Sequence, residues 1–310
     1  MTPSNTTIIQ RHGKIDCHPK ETCGDGEVIL RIGNGGSVGA TGLIRALAED
    51  YLSILHRPGS IQWICNHSRN TQLALFHGHV DLALTYEREQ EDISVAEGWA
   101  QSEGCVFHDH FCLAGPQDDP ANIKQAASIE NAFDRLAITQ ATFHNRSDGS
   151  ATMWKERQIW DQCHREPWSD ADAIRYQSFL FTPAEAVTHA NIAGAYLLCD
   201  RSTFLTMASQ GRVDSLRVFF EPEHPLDILM NSCYAMTSPH ASSEVAERVA
   251  SFLAYFKSPR GQEIVARYGY DKVGMPLFAS LSEGYAREKL TGEAYKGEPD
   301  TEGSKTMEKL

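Results

Sequence analysis

Eight consecutive residues, Asn145-Arg146-Ser147-Asp148-Gly149-Ser150-Ala151-Thr152, set one guanidinium, three hydroxyls and a glycine in front of a helical pattern running from Met153 to Gln162. At a helix N-terminus the unpaired backbone N–H groups and the positive dipole end point outward, which makes the position an anion cradle. Arg146 would add fixed charge and bidentate geometry, and the hydroxyls add donors that carry no charge. An ordinary polar loop before a capped helix has the same composition. Two other loops separate these readings because they share the chemistry: Asn34-Gly35-Gly36-Ser37 and Asn66-His67-Ser68-Arg69-Asn70.

A tetrahedral dianion with no proton to give needs donors only, and its burial is costly unless they converge. The candidate ligand-binding residues are therefore Ser37, Ser68, Arg69, Arg146, Ser150 and Thr152, helped by backbone N–H groups at Gly36, Ser37 and Ser68. Arg69 either reaches the ligand or sits at the rim. Asp148 is expected to orient Arg146 or cap the helix, and Arg201, next to Asp200, to form an ion pair inside one lobe.

The competing constellation is Cys105-x-x-His108-x-His110-x-Cys112. Alternation along a strand aligns His108, His110 and Cys112 and points Cys105 the other way. Three aligned soft ligands suit zinc or copper. Their spacing of ~6.5–7 Å along the strand is, however, awkward for one tetrahedral ion. Catalytic signatures are missing: there is no Gly-x-Ser-x-Gly elbow, no phosphate-loop Lys-Ser/Thr and no His-Glu-x-x-His. The expectation is a binding protein that uses neither cofactor nor metal. The alternatives are an enzyme or sensor on the same fold, or a metal-binding protein using His108, His110 and Cys112.

Positioning these loops is the task of alternating elements. Val28–Gly33, Ile61–Cys65 and Val80–Thr85 read as short buried strands, with helices from a Thr41 cap to about His56 and through Phe76 between them. Strand–helix–strand–helix–strand at this spacing is a doubly wound parallel sheet, whose ligand crevice lies at the carboxyl ends of the strands. After a longer strand over 106–114 comes a second α/β unit: a helix near 129–134, a strand over 136–139, the Arg146 loop with its helix, a helix over 183–193, a strand over 195–199 and a helix over 203–210. A long strand over 228–236 and helices over 241–257 and 259–267 follow. The two long strands stand where a chain would cross between lobes and return.

The whole chain sets outer bounds. Its 310 residues suffice for two lobes of ordinary size. Hydrophobic content of 41% and charged content of 22% are those of a globular protein. A formal net charge of −13 argues against nucleic acid or an anionic membrane as partner. No apolar run approaches a membrane span. The first 27 residues contain no apolar secretory region, which gives the expectation of a cytoplasmic monomer, or an extracytoplasmic one if a leader was removed. Eight dispersed cysteines read as buried free thiols rather than a disulfide framework.

Taken in order, these pieces resemble the periplasmic-binding-protein superfamily and, within it, the tungstate-binding TupA-like solute-binding proteins. The landmarks are Ser37 with Thr41-Gly42-Leu43, Ser68 with Gln72-Leu73-Ala74, Gly78-His79-Val80-Asp81-Leu82 and Gly115-Pro116-Gln117-Asp118-Asp119-Pro120-Ala121. Arg146, Asp148, Ser150 and Thr152 match the family's Ser-Arg-Gly-Asp-Asp-Ser-Gly-Thr. Gly194-Ala195-Tyr196, Asp200-Arg201-Ser202-Thr203 and Ser258-Pro259-Arg260-Gly261-Gln262 continue the series over residues 28–278. The resemblance implies a two-lobed α/β fold, each lobe a doubly wound sheet, joined by two hinge strands, with a tungstate- or molybdate-type oxyanion in the cleft. The corresponding division is a flexible arm at 1–27, lobe 1 at 28–110 and 230–281, lobe 2 at 111–229, and a polar tail at 282–310. The family's first-loop threonines are here Asn34-Gly35-Gly36, and its Gly-Thr-Gly second loop is His67-Ser68-Arg69. An oxyanion therefore transfers better than tungstate itself, and an ABC permease partner is not expected without an export signal.

Overall fold

The computed structural model describes residues 14–35, 39, 41–55, 58–169 and 175–290. Its strands are β1 (Pro19–Asp25), β2 (Val28–Asn34), β3 (Gly59–Cys65), β4 (Leu82–Thr85), β5 (Gln101–Pro116), β6 (Phe143–Arg146), β7 (Tyr176–Phe179), β8 (Leu197–Asp200), β9 (Leu216–Phe220) and β10 (Met230–Thr237). Its helices are α1 (Leu43–Ile54), α2 (Ser68–Phe76), α3 (Arg88–Ala96), α4 (Ile129–Ile138), α5 (Ala151–Gln162), α6 (Pro183–Ala193), α7 (Arg201–Ser209), α8 (Ser243–Phe256), α9 (Pro259–Arg267) and the short α10 (Tyr270–Val273).

One mixed sheet runs in the order β1-β3-β2-β4-β10-β5-β8, with β9 also on β5. Within it β2 is parallel to β3 and β4. A separate parallel pair, β6 and β7, joins β8 through a parallel bridge between Phe143 and Tyr196. The long strand β5 unites the two halves. From Gln101 to His110 it pairs with β10, and from Phe111 to Pro116 with β8 and β9, antiparallel throughout. Two α/β lobes thus share two long antiparallel strands, as the order of elements implies.

The core follows the same division. Phe133, Phe143 and Trp160 form an aromatic cluster on one side, with ring centroids 4.6–5.8 Å apart. Phe107, in β5, lies against Phe256 and Phe278 at 6.0 and 5.4 Å on the other.

Several local expectations change. Residues 19–25, placed in a loose arm, form β1 and pair with β3 as a sheet edge. The strand expected at 136–139 lies mostly in the last turn of α4. Ile129, Ala132, Phe133 and Leu136 recur at helical spacing on its buried face, and the Ser128 side chain caps its start. Gly42, not Thr41, is the N-cap of α1; its φ of 90° is open to glycine and strained for other residues. The segment after Ser282 begins anchored: the Ala286 N–H donates to His110 Nε2 at 2.9 Å, and Ala286 and Leu290 are buried.

Arg201 ties this segment down. It is fully buried, donates to the carbonyls of Pro276 and Glu288, and pairs with Glu221 at 3.6 Å. Its ion-pair partner is thus Glu221 rather than the adjacent Asp200. Removing one member of a buried pair strands the other charge. Arg201→Leu is expected to lower the unfolding free energy by about 3–5 kcal/mol in urea denaturation. A loss under about 1 kcal/mol would show that the pair does not anchor the C-terminal segment.

Candidate functional site

The carboxyl ends of β2, β3, β4, β6 and β8 meet at one small cavity. Gly35, His67, Ser68, Tyr86, Arg146, Ser150, Ala151, Thr152, Pro183, Asp200 and Asn231 line it, and its volume is about 30 Å³. That is room for a small ion, not for an organic ligand of the ~300 Å³ class. Both lobes contribute, because crevices form where parallel strands end.

Four helices begin at this cavity: α2 after His67, α5 after Ser150, α6 after Thr182 and α7 after Asp200. Neither His67 nor Asp200 caps its helix with its side chain, and the Ser150 hydroxyl accepts only from Met153 N. By contrast α6 is closed by a Thr182–Glu185 capping box and starts with Pro183, which has no N–H to offer. Three dipole ends with donors to give, α2, α5 and α7, therefore converge on a space that fits one ion.

Arg146 is the cation at this point, 5% exposed. Its Nη2 donates to Asp148 Oδ2 at 2.5 Å, Nη1 to Thr152 Oγ1 at 3.3 Å and Nε to the Phe181 carbonyl at 3.2 Å. Asp200 Oδ2 lies 3.9 Å from Nη1. Asp148 also accepts from Ser150 N at 3.0 Å and faces His67 Nε2 at 3.7 Å across the lobes. It both orients Arg146 and satisfies the α5 terminus, the two roles expected of it.

Of the other candidates, Ser68, Ser150 and Thr152 line the cavity together with Arg146. Ser68 Oγ accepts from Tyr86 N at 3.3 Å, so its proton remains to be donated. Arg69 is placed beside the cavity: Nε pairs with Glu87 at 2.7 Å, and its guanidinium stacks 3.8 Å over Trp154 of the opposite lobe. Ser37 and Gly36 fall outside the described residues. The sequence reading passed over Tyr86, Asp200 and Asn231 as cavity residues. Tyr86 and Asp200 each end a strand pattern, the position where such ligands arise, but neither resembles an anion donor by type.

Burial sets the titration of the acidic groups. Desolvation pushes Asp200 up to about 6 against the pull of Arg146. Glu87 rises to about 7 from burial, offset by Arg69. Glu156 also rises to about 7 from burial; it accepts from Asn145, Trp160 and Tyr176 and so braces the strand that carries Arg146.

The Cys/His constellation does not converge. His108 Nδ1 meets Ser232 Oγ at 2.7 Å, His110 accepts from Ala286 N, and Cys112 Sγ lies 3.6 Å from Cys199 Sγ. A bulge opposite Cys233 and Tyr234 breaks the alternation of β5 and brings Cys105 Sγ within 3.9 Å of His108, where strict alternation would separate them. Among the described residues no three His, Cys, Asp or Glu side chains are grouped to hold a metal ion. The metal-binding alternative built on His108, His110 and Cys112 is corrected accordingly.

A family profile described as a PBP superfamily domain matches residues 31–260. The chain belongs to the PBP superfamily. A protein of Haloferax volcanii, provisionally described as an ABC transporter anion-binding protein, is 30% identical over 198 residues, 62% of this chain and 55% of the relative. The chain thus spans little more than half the length of that relative. The tungstate-binding protein TupA of Peptoclostridium acidaminophilum is 26% identical over 204 residues, 65% of this chain and 68% of that protein. A crystal structure of a periplasmic protein, provisionally described as metal-binding, superposes with a TM-score of 0.75 at 28% identity, covering 84% of this chain and 98% of the other. All three are described as binding proteins. Among the described residues no helix is long and apolar enough to cross a membrane.

Glu156 gives a pH test of this frame. Its folded pKa lies above its unfolded one, so the folded state holds the extra proton and stability falls as pH rises from about 4.5 to about 7, then levels. Glu156→Gln is expected to reduce that fall by about 3 kcal/mol in urea denaturation across the range. An unchanged profile would place the titration elsewhere.

Proposed function

We propose that this chain binds one small tetrahedral oxyanion, of the tungstate or molybdate type, in the cavity between its lobes. The observation that carries the reading is the convergence of three donor-bearing helix N-termini and the buried Arg146 on a space sized for one ion. Arg146 supplies the fixed charge, and Ser68, Ser150 and Thr152 supply hydroxyl donors. Backbone N–H groups at the starts of α2, α5 and α7 complete the shell. Ser68 and Arg146 come from opposite lobes, so the complete donor set exists only with the lobes together.

The names of the relatives support the same class of ligand, one anion and one tungstate. Since one is described as belonging to an ABC transporter, a permease partner falls within this proposal, in place of the earlier expectation against one. His67 and Arg69 replace the small second-loop residues of tungstate-binding proteins: His67 lines the cavity, and Arg69 is held beside it by Glu87 and Trp154. No observation favours an enzymatic reading.

A bound ligand at about 100 times its dissociation constant adds about 2.7 kcal/mol. For a chain of this size that corresponds to a melting-temperature rise of about 4 °C. Tungstate or molybdate is expected to produce it, Arg146→Ala to abolish it, and Arg146→Lys to weaken it by removing the planar fork while keeping the charge. If tungstate, molybdate, sulfate and phosphate at millimolar concentration all leave the transition unmoved, the proposal fails.

A further inference from the structure

One cavity residue has no place in a shell made only of donors. Asp200 is 3% exposed, lines the cavity, and as an ionised carboxylate can only accept. Its contacts are loose: Arg146 Nη1 stands 3.9 Å away, and Asn231 Nδ2 reaches Asp200 Oδ1 at 3.4 Å. Asn231 Oδ1, also buried, has no hydrogen-bond partner. An anion oxygen entering the cavity would meet a carboxylate oxygen with nothing between them.

The charges around Asp200 sharpen the conflict. Arg146 faces it from β6, Asp148 from the loop before α5, and Asp109 from β5 behind it. Arg201 follows it in α7 but is taken up by Glu221, while His67, before α2, faces Asp148 at 3.7 Å and lines the same cavity with the uncharged Tyr86 from the end of β4. Asp148 already neutralises Arg146. Three helix dipoles contribute roughly half a charge each. A dianion is left about half a charge in excess by this set if Asp200 is neutral, and one further charge in excess if Asp200 is ionised.

We infer that the cavity takes up its oxyanion together with one proton, and that Asp200 holds that proton. This rests on the oxyanion reading above and adds the chemistry of its selectivity. The proton comes from solvent when the ligand is a bare dianion such as tungstate. It bonds to a carboxylate oxygen of Asp200, and the resulting O–H donates to the anion. No other bond forms or breaks. Hydrogen phosphate or hydrogen arsenate brings its own proton and can donate it to the ionised Asp200, so these anions should lose least affinity at alkaline pH. Burial, which already lifts Asp200 to about 6, makes the uptake accessible near neutrality.

The test is calorimetric titration of the full chain with sodium tungstate between about pH 7 and pH 8.5, each pH in two buffers of different ionisation enthalpy. The wild-type protein should take up about one proton per tungstate, and its affinity should fall roughly tenfold per pH unit. Asp200→Asn supplies a neutral donor of the same shape and an equally good helix N-cap; it should bind without proton uptake and with an affinity flat in pH. Wild-type binding with no proton uptake, or Asp200→Asn keeping the wild-type slope, overturns this inference while leaving the oxyanion reading intact. No binding by wild type at any pH, with any of tungstate, molybdate or phosphate, overturns both. Should that variant fail to fold, His67→Asn decides between the two titratable groups of the cavity: uptake that persists in it supports Asp200, and uptake lost with the imidazole overturns the inference.

Discussion

A guanidinium that is 5% exposed governs this structure. Taking Arg146 out of water costs several kcal/mol unless nearly all its N–H groups are met. The chain meets them from four directions, with Asp148, Thr152, the Phe181 carbonyl and, at longer range, Asp200. These four partners come from three places that must each arrive correctly: the start of α5, the turn before α6 and the end of β8. The buried hydrogen bonds of Glu156 hold the neighbouring Asn145, so even the strand behind the guanidinium is fixed by polar contacts as well as by the Phe133–Trp160 cluster. A polar centre this closely specified is the feature expected of a binding site, where side chains must be in place before the ligand arrives.

The frame builds that centre from both lobes. Strands β5 and β10 carry the chain between the halves, and side-chain contacts also span the cleft. Arg69 over Trp154 and His67 against Asp148 are of this kind. Both are partly solvated interactions of about 1 kcal/mol or less. They are weak enough to open, and a ligand that adds bonds to both sides would tip the balance towards closure. Asp148 takes part in one of these contacts and in the Arg146 pair, so the charge that the ligand meets and the contact that joins the lobes share one carboxylate.

Much of this was legible in the sequence. The three strand–loop–helix units and the Arg146 loop announced both the doubly wound lobes and the crevice, because hydrophobic periodicity and helix-start chemistry are local signals. Ser68, Arg146, Ser150 and Thr152 come together as expected. What was hidden depended on tertiary context. Arg69 reads as a free cation until Glu87 and Trp154, distant in sequence, take it up. The bulge in β5 that reorients Cys105 has no sequence mark. The Leu136-Ala137-Ile138 run was ambiguous because a short apolar stretch suits a strand or a buried helix turn equally. Asp200 was passed over because an acidic side chain argues against an anion site by charge, and only its burial among three helix ends changes its meaning.

The central claim is that a tetrahedral oxyanion sits where both lobes bring their helix N-termini to Arg146. Diffraction at the tungsten absorption edge from crystals grown with tungstate tests it most directly. The account predicts one strong anomalous peak between the Ser68, Arg146 and Ser150 side chains, within hydrogen-bond reach of the starts of α2 and α5. A cavity empty of anomalous density in crystals that hold tungsten elsewhere would contradict it.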